Sequence, residues 1–254
     1  MKLTVRQKIV RRLARIKTRM AYQWERPTHC WCGGELFRDM NSLDPSVSAC
    51  SVCWTRALRH RLTEASYARW YASGDYRRYV MGTSGVAIGQ VMKEIRRAAA
   101  AVKFLGDHGV AIRGTWVLDV GSGAGGWLLV AKLFGACRVV GVDVDDRSRA
   151  VPSEFGLSVL KARPQDGLWD RIICSHIIEH IIHPVEFLKD VRSVLGRNGC
   201  LYIETPAWGP KAEVKLPHPF YYSPDSLRLL ATRAGLEVVA MTDGIQAVLR
   251  RLSS

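Results

Sequence analysis

The chain contains 254 residues and has a mass of 28.4 kDa, which suits one large domain and a smaller one. Apolar residues make up 48% and charged residues 24% of it, so it can bury a core and is not disordered. No apolar run approaches the roughly 18 residues of a membrane span, and the N-terminus lacks the apolar segment of a secretory signal. Seven cysteines, four of them in two close pairs, favour a reducing compartment, and we expect a cytoplasmic protein.

Residues 1–26 predict a basic amphipathic helix that ends before Pro27. Residues 1–81 carry 16 basic and 6 acidic side chains, and thus +10 of the net charge of +14. The first 20 residues contain eight basic side chains and no acidic one: Lys2, Arg6, Lys8, Arg11, Arg12, Arg15, Lys17 and Arg19. The apolar residues recur at helical spacing: Val5, Ile9, Leu13, Ile16 and Met20. Such a helix could contact RNA phosphates, an anionic membrane surface, or its own domain through the apolar stripe.

Residues 27–60 predict a small metal-binding module. They contain two close cysteine pairs that are separated by 17 residues: Cys30 with Cys32, and Cys50 with Cys53. Two such pairs are typical of a structural zinc site with four thiolate ligands, and Gly33 and Gly34 supply a tight turn beside the first pair. His29 is an alternative ligand, because the first pair has one spacer residue where two are usual. The other cysteines are expected as small core residues on strands: Cys137, Cys174 and Cys200.

Residues 61–84 form an aromatic-rich connector, and a different pattern occupies residues 85–254. After a long predicted helix at about 86–107, short apolar runs alternate with helical stretches near 126–135, 146–154, 184–195 and 223–234. The predicted strands are Trp116–Val120, Arg138–Val142, Leu157–Leu160, Arg171–Ser175, Cys200–Thr205, Leu236–Met241 and Gln246–Arg250. This alternation predicts an α/β fold with a mostly parallel seven-stranded sheet, helices on both faces and an antiparallel last strand.

A glycine-rich segment joins the first strand of this sheet to its helix: Asp119-Val120-Gly121-Ser122-Gly123-Ala124-Gly125-Gly126. Glycines let the backbone approach a ligand closely, and the start of the helix offers free N–H groups. The glycines alone also fit dinucleotide-binding proteins. However, Asp119 suits an ammonium group better than a pyrophosphate, and Asp143, at the end of the second strand, can accept both ribose hydroxyls of a nucleoside. The segment therefore predicts a nucleoside-binding cleft.

From about residue 114 to 252, these patterns resemble the class I methyltransferases that depend on S-adenosylmethionine. The glycine loop matches the first motif of that family, and Asp143 matches its ribose-binding acid. Residues 170–180 resemble its fourth-strand motif and the helix start after it. Phe187-Leu188 and residues 195–206 resemble the next helix and the fifth strand. Residues 218–238 resemble one bacterial branch that acts on small molecules and glycans and often has an N-terminal cysteine knuckle.

The resemblance implies a Rossmann-like sheet and a site for S-adenosylmethionine. Carried over to this sequence, the cofactor-binding residues are Asp119, Gly121, Ser122, Gly123, Gly125, Asp143, Val144 and Ser175. One departure is the segment after the third strand, where Arg163-Pro164-Gln165-Asp166 stands in place of the usual short acidic motif. The residues that contact adenine are therefore not assigned.

The sequence His176-x-x-Glu179-His180 follows the predicted fourth strand, at the edge of the sheet where ligands bind. A histidine, with a usual pKa of about 6.5, suits removal of a proton from a methyl acceptor at neutral pH. We expect His176 to be this base or an acceptor contact, with His218 as the second candidate. Glu179 and His180 would orient His176 or bind a divalent ion with it. The pattern also fits inverted zinc peptidases, but Pro184 leaves no room for their long metal-binding helix.

The leading hypothesis is a methyltransferase that acts on an oxygen or nitrogen of a small molecule, sugar or lipid-linked glycan. The alternative is an RNA methyltransferase that binds RNA through the basic N-terminal region and the zinc module. No Asn-Pro-Pro-Tyr-like segment, which would clamp a base, follows the fourth strand. A nicotinamide-dependent dehydrogenase would share the glycine loop, but Asp119 and the terminal hairpin argue against it. The retained Asp119 and Asp143 argue against a degenerate zinc and RNA-binding module without activity.

Overall fold

The structure is a computed structural model that describes residues 4–40, 42, 44–83, 85, 88–164, 167–208 and 214–252. The helices are α1 (Val5–Ala21), α2 (Glu64–Ala72), α3 (Asp75–Met81), α4 (Ile88–Asp107), α5 (Gly126–Leu133), α6 (Asp146–Glu154), α7 (Pro184–Ser193) and α8 (Pro224–Arg233). The strands are β1 (Trp24–Glu25), β2 (Leu36–Arg38), β3 (Val47–Cys50), β4 (Arg56–Leu58), β5 (Arg61–Leu62), β6 (Trp116–Val120), β7 (Arg138–Val142), β8 (Ser158–Leu160), β9 (Trp169–Ser175), β10 (Leu195–Glu204), β11 (Phe220–Tyr221), β12 (Leu236–Met241) and β13 (Gln246–Arg251). Among the described residues, no helix is long and apolar enough to cross a membrane.

Seven strands form the large sheet, in the spatial order β12-β13-β10-β9-β6-β7-β8. Strands β6 to β10 pair in parallel, whereas β13 runs antiparallel to both β10 and β12. The predicted α/β fold and its antiparallel last strand are confirmed. The strand order reverses between β6 and β9, and ligands bind outside the carboxyl ends of the strands at such a switch point.

Neighbouring residues of the central strands point to opposite faces of this sheet. Leu118 and Leu201 belong to a core cluster with residues of α7 and α8, whereas Val117 and Tyr202 belong to a second cluster with residues of α4 and α5. This alternation follows from the two-residue period of a strand. Because both faces are apolar, helices cover the sheet on both sides, as predicted.

The N-terminal part of the chain shares a small sheet with the C-terminal part. Strands β2, β3 and β4 are antiparallel, and β11 adds to β4 as the fourth strand of this sheet. The backbone N–H of Leu58 also donates to the carbonyl oxygen of Pro219 at 3.1 Å. Residues 216–222 are therefore fixed by the cysteine-containing segment, which positions His218 close to the crevice.

Two expectations about the N-terminal helix and the cysteines were wrong. Helix α1 ends at Ala21 rather than near residue 26, because Tyr22 is extended and β1 pairs with β5 instead of continuing the helix. Cys174 and Cys200 are buried as predicted, but Cys137 is exposed and precedes β7. Cys137 therefore does not belong to the core.

Candidate active site

The glycine loop between β6 and α5 has little room for side chains. Gly121 and Gly123 have φ values of +75° and +54°, in the left-handed region that favours glycine. A Cβ atom on Gly121 would lie 2.9 Å from Cδ1 of Ile177, and one on Gly123 would lie 3.3 Å from Oε1 of Glu94. The loop thus needs its glycines to fit between β9 and α4, with its backbone facing the crevice.

Asp143 connects the end of β7 to this loop. Its Oδ2 accepts a hydrogen bond from the N–H of Gly123, and its Oδ1 accepts one from the N–H of Asp145, both at 2.8 Å. Ser122 is buried, and its Oγ has no hydrogen-bond partner among the described residues. Val144, the next residue after Asp143, is 56% exposed. Asp143 is thus hydrogen-bonded to the loop that contains Ser122, whereas Val144 faces solvent.

Three carboxylates cluster at this loop. Burial raises the pKa of Asp119 well above its usual value, and the charges of Glu94 and Asp143 raise it further. Burial also raises the pKa of Glu94 and of Asp143, despite the hydrogen bonds that each carboxylate accepts. Clustered acids of this kind repel one another when they are ionised, and a cationic ligand stabilises them. S-adenosylmethionine carries two positive groups, an ammonium and a sulfonium.

Glu94 was not predicted as a site residue. It lies on α4, and its Oε2 accepts a hydrogen bond from the N–H of Ala124 in the glycine loop at 3.0 Å. A Cβ on Gly126 would lie 2.6 Å from the Cβ of Glu94, so α4 packs tightly against the start of α5. No local motif marks Glu94, because its place in the site depends on this packing of one helix against another.

His176 lies directly after β9 and has an unusual backbone conformation. Its φ of +56° is in the left-handed region, which is rare for a residue other than glycine and typical of functional sites. Its backbone N–H donates to the carbonyl oxygen of Glu204 at 2.7 Å, and its Nδ1 lies 3.0 Å from Oε1 of Glu179. Burial lowers the pKa of His176, but the hydrogen bond to Glu179 and the nearby carboxylate of Glu204 outweigh this effect and raise the pKa above its usual value.

Glu204, at the end of β10, was also missed by the sequence analysis. Its Oε1 lies 3.7 Å from Nε2 of His176, and its Oε2 accepts a hydrogen bond from the hydroxyl of Ser175 at 2.8 Å. The guanidinium of Arg97 lies 3.9 Å from the same carboxylate. Ser175, predicted to bind the cofactor, is thus bonded to a carboxylate that borders His176.

The other predicted catalytic residues form a buried group beside His176. Ligand atoms of Glu179, His180 and His218 all lie within 4.8 Å of one another. Among the described residues, Oε2 of Glu179 and Nδ1 of His218 are buried and have no hydrogen-bond partner. Burial and the neighbouring His180 lower the pKa of His218 to about 3, and burial also lowers the pKa of His180. Both rings are therefore neutral at physiological pH.

Residues 178–180 form a single 3₁₀ turn rather than the start of an α-helix, and α7 begins only at Pro184. The histidines of the H-x-x-E-H pattern consequently do not lie on one long helix, as a zinc peptidase would require. Part of the loop after β10, residues 209–213, lies outside the described residues, as do Gln165 and Asp166 of the atypical segment after β8.

Aromatic side chains of the connector line the crevice around His180. The hydroxyl of Tyr71 lies 2.8 Å from Nδ1 of His180, and the ring of Tyr76 packs edge-on against the same imidazole. The imidazole of His218 also packs edge-on against His180, with ring centres 4.8 Å apart. Helices α2 and α3 therefore form a wall of the site that the family resemblance, which begins near residue 114, does not include.

The four predicted zinc ligands come together in the small N-terminal sheet. Cys30, Cys32, Cys50 and Cys53 are buried, and their sulfur atoms all lie within 4.8 Å of one another. The sulfurs of Cys30 and Cys53 are 3.7 Å apart, and those of Cys32 and Cys50 are 3.3 Å apart. His29 is exposed and is not part of this group.

The family comparison agrees with this geometry. The methyltransferase domain family matches residues 91–241, which is more than half of the chain, so the chain belongs to that family. The glycine loop, Asp143 and His176 all lie within the matched residues. The fold of the chain is that of class I methyltransferases, and solved structures that share this fold contain S-adenosylmethionine or S-adenosylhomocysteine.

Solved structures of methyltransferases have the same fold. Magnesium protoporphyrin IX methyltransferase from Synechocystis PCC 6803, with bound SAH, has a TM-score of 0.54 and 15% sequence identity; the match covers 74% of this chain and all of that one. 1,6-didemethyltoxoflavin-N1-methyltransferase from Burkholderia thailandensis, with its namesake ligand and S-adenosylhomocysteine, has a TM-score of 0.57 and 16% identity. That match covers 83% of this chain and 98% of the other.

A curated relative acts on RNA. The tRNA U34 carboxymethyltransferase of Campylobacter jejuni subsp. jejuni serotype O:6 is 26% identical to this chain over 111 residues. The match covers 39% of this chain and 38% of that relative, so this chain spans well under half of the relative's length.

Proposed function

We propose that the protein transfers a methyl group from S-adenosylmethionine to an oxygen or nitrogen of a small molecule, sugar or lipid-linked glycan. The observation that carries this proposal is the hydrogen-bonded pair of His176 and Glu179 next to the cofactor loop. The His176–Glu179 pair lies beside the cofactor loop, because the side chain of Ile177 packs against Gly121. The two structural relatives described above act on small molecules, as their names state.

S-adenosylmethionine supplies an electrophilic methyl group, which the acceptor atom takes by direct displacement. In our proposal, Glu179 accepts the hydrogen of Nδ1 of His176, which leaves Nε2 as the basic nitrogen of the ring. Nε2 then takes the proton from the hydroxyl or amine of the acceptor. Glu179 and Glu204 stabilise the imidazolium that forms, and this agrees with the raised pKa of His176. Glu179 and Glu204 are thus positioning residues, and His176 is the catalytic base.

The test is methyl transfer from cofactor with a labelled methyl group to three fractions: small molecules, extracted lipids and tRNA. We expect label in one of the first two, and we expect His176→Ala to reduce turnover by roughly 10²–10⁴-fold without weakening cofactor binding. The matched control is His108→Ala, since His108 is exposed at the end of α4, and this variant should keep full activity. Full turnover by His176→Ala would remove His176 from the mechanism.

The second candidate function is methylation of RNA. It is favoured by the relative that acts on tRNA and by the positive charge of the N-terminal region. Two results together would establish RNA as the acceptor in place of a small molecule. The label would enter only the tRNA fraction, and neutralising basic residues of α1 would abolish this labelling.

We also infer that the four cysteines bind a structural zinc ion. Tetrahedral thiolate ligands, each about 2.3 Å from zinc, lie about 3.8 Å from one another, close to the separations seen here. A Cβ on Gly34 would lie 2.7 Å from the sulfur of Cys50, so this glycine leaves room for the cluster. Four protein ligands leave no open position for catalysis.

We expect metal analysis of the purified protein to find one zinc ion per chain. Cys50→Ser should lose this ion and lower the free energy of unfolding by more than about 2 kcal/mol, because ion binding stabilises the folded segment. Cys137→Ser removes an exposed cysteine outside the cluster and should change neither quantity. A parent protein without zinc would refute the assignment.

The same transfer assay decides whether Glu179 also serves as a ligand of a divalent ion together with His180 and His218. Loss of activity in a chelator, followed by recovery with Mg²⁺ or Mn²⁺, would assign an ion to this group. Thiolates bind these two ions poorly, so the recovery would not arise from the cysteine cluster. Activity that does not respond to the chelator would leave Glu179 as a positioning residue only.

A further inference from the structure

The outer face of α1 carries an apolar stripe that the fold does not bury. Five residues form it and are between 49% and 83% exposed: Val5, Ile9, Leu13, Ile16 and Met20. At 3.6 residues per turn, they cover about 80° of the helix circumference. Large aliphatic side chains aligned in this way on a surface indicate an interaction site rather than scattered exposure.

The helix is attached to the protein by its opposite face. Ala14 and Thr18 are buried there, about 140° and 180° around the helix from the middle of the stripe. The hydroxyl of Thr18 accepts a hydrogen bond from Nε1 of Trp70 at 3.2 Å, and the ammonium of Lys17 lies 2.7 Å from Asp75. The expectation that the apolar stripe could dock α1 on its own domain is therefore wrong. This attachment leaves the apolar stripe facing away from the rest of the protein.

Basic residues border the stripe on both sides and are exposed. Arg6 lies on one side, whereas Lys8, Arg12 and Arg19 lie on the other. An aliphatic centre with cationic borders is the pattern of a helix that lies in the plane of a membrane with anionic lipids. The family match begins at residue 91, so α1 is not part of the methyltransferase domain itself.

We propose that α1 binds the protein to the surface of a membrane that contains anionic phospholipids. RNA would contact the basic side chains but would leave the five aliphatic residues in water. A second copy of the chain would bring two strongly basic helices together, which like-charge repulsion opposes. A lipid surface, in contrast, satisfies both the aliphatic centre and the cationic borders. The proposal does not depend on which acceptor is methylated.

The test is flotation of the full chain with vesicles of phosphatidylcholine alone or mixed with phosphatidylglycerol. We expect binding to the mixed vesicles, and we expect Leu13→Gln with Ile16→Gln to reduce it by about 10-fold or more. Arg12→Glu with Arg19→Glu should reduce it similarly, and added salt should weaken it. The control is Leu168→Gln, since Leu168 and Leu13 are both 60% exposed.

Cofactor affinity and melting temperature should not change in these variants, because the substituted side chains are exposed. Absence of binding to either kind of vesicle would overturn the proposal, as would equal binding by parent and Leu13→Gln/Ile16→Gln protein. A different outcome would assign α1 to RNA: the protein binds tRNA but not vesicles, and only the arginine substitutions weaken tRNA binding. The stripe would instead bind a second copy of the chain if the protein self-associates, does not bind vesicles, and loses its self-association on these apolar substitutions.

Discussion

Asp143 has two tasks, one predicted and one visible in the structure. It is predicted to bind the ribose of the cofactor, and it accepts backbone hydrogen bonds from Gly123 and Asp145 in the structure. The carboxylate therefore orders the glycine loop and the start of α6 before it meets a ligand. Glu94 orders the same loop from the opposite side, through the N–H of Ala124.

We predict that Asp143→Ala weakens binding of S-adenosylmethionine by about 1–3 kcal/mol, because a charged hydrogen-bond acceptor is lost. Glu94→Gln should weaken it less, since glutamine keeps an acceptor oxygen but loses the charge. Calorimetric titration measures both effects, with Asp243→Ala in the exposed β12–β13 turn as the control. Unchanged affinity in Asp143→Ala would exclude Asp143 from the cofactor site.

The residues that could be predicted from sequence are those with a local motif. The glycine loop, Asp143 and His176 each follow a strand at a fixed spacing, so their neighbourhood could be inferred. Glu94 and Glu204 have no such motif: the packing of α4 on α5 places the first beside the loop, and the pairing of β10 with β9 places the second beside His176.

At the scale of elements, helix α1 packs closely against the end of α3 at Gly82. Gly82 ends α3 with a φ of +67°, and a Cβ there would lie 2.1 Å from the carbonyl oxygen of Gln7 in α1. The helix can approach this closely only because Gly82 has no side chain. The contact fixes the first turns of α1 against the connector.

We predict that Gly82→Ala destabilises the protein more than Gly109→Ala. Both glycines have positive φ values, and strain of that kind costs about 1–2 kcal/mol on substitution. A Cβ on Gly109 meets nothing within 4 Å, whereas one on Gly82 collides with backbone. Chemical denaturation gives the two free energies of unfolding. Equal losses would contradict the close packing of α1 on α3.

Long elements with a clear period could be predicted, and short ones could not. Strands β6, β7 and β12 have their predicted bounds, because each alternates or is flanked by turns. Strands of two to four residues in the N-terminal part are too short to show a period, so their sheets were not predicted. The pairing of β11 with β4 joins segments about 160 residues apart, and only the folded chain shows it.

At the scale of the whole molecule, the N-terminal part forms a wall of the crevice around His180. The hydroxyl of Tyr67 donates to the carbonyl oxygen of Leu216 at 2.6 Å, and Tyr71 contacts His180. The methyltransferase sheet supplies the cofactor loop and His176, and the connector supplies the aromatic wall. The order of these parts in the chain gave no indication that they would meet.

We expect the three clustered acids, Asp119, Glu94 and Asp143, to make cofactor binding dependent on pH. Their pKa values are raised, so they become protonated at a higher pH than exposed acids do, and a cationic ligand binds best when they are ionised. We therefore predict that affinity for S-adenosylmethionine increases as the pH rises from about 5 to about 8. S-adenosylhomocysteine lacks the sulfonium charge and should show a weaker dependence. Equal pH dependence of the two ligands would place the acids away from the sulfonium.

The most direct test of the central claim is calorimetric titration of the full chain at neutral pH with three ligands: S-adenosylmethionine, S-adenosylhomocysteine and a nicotinamide dinucleotide. We expect the first two to bind with dissociation constants on the order of micromolar and the dinucleotide not to bind. Binding of the dinucleotide alone would contradict the assignment of the cleft and would make the glycine loop that of a dehydrogenase.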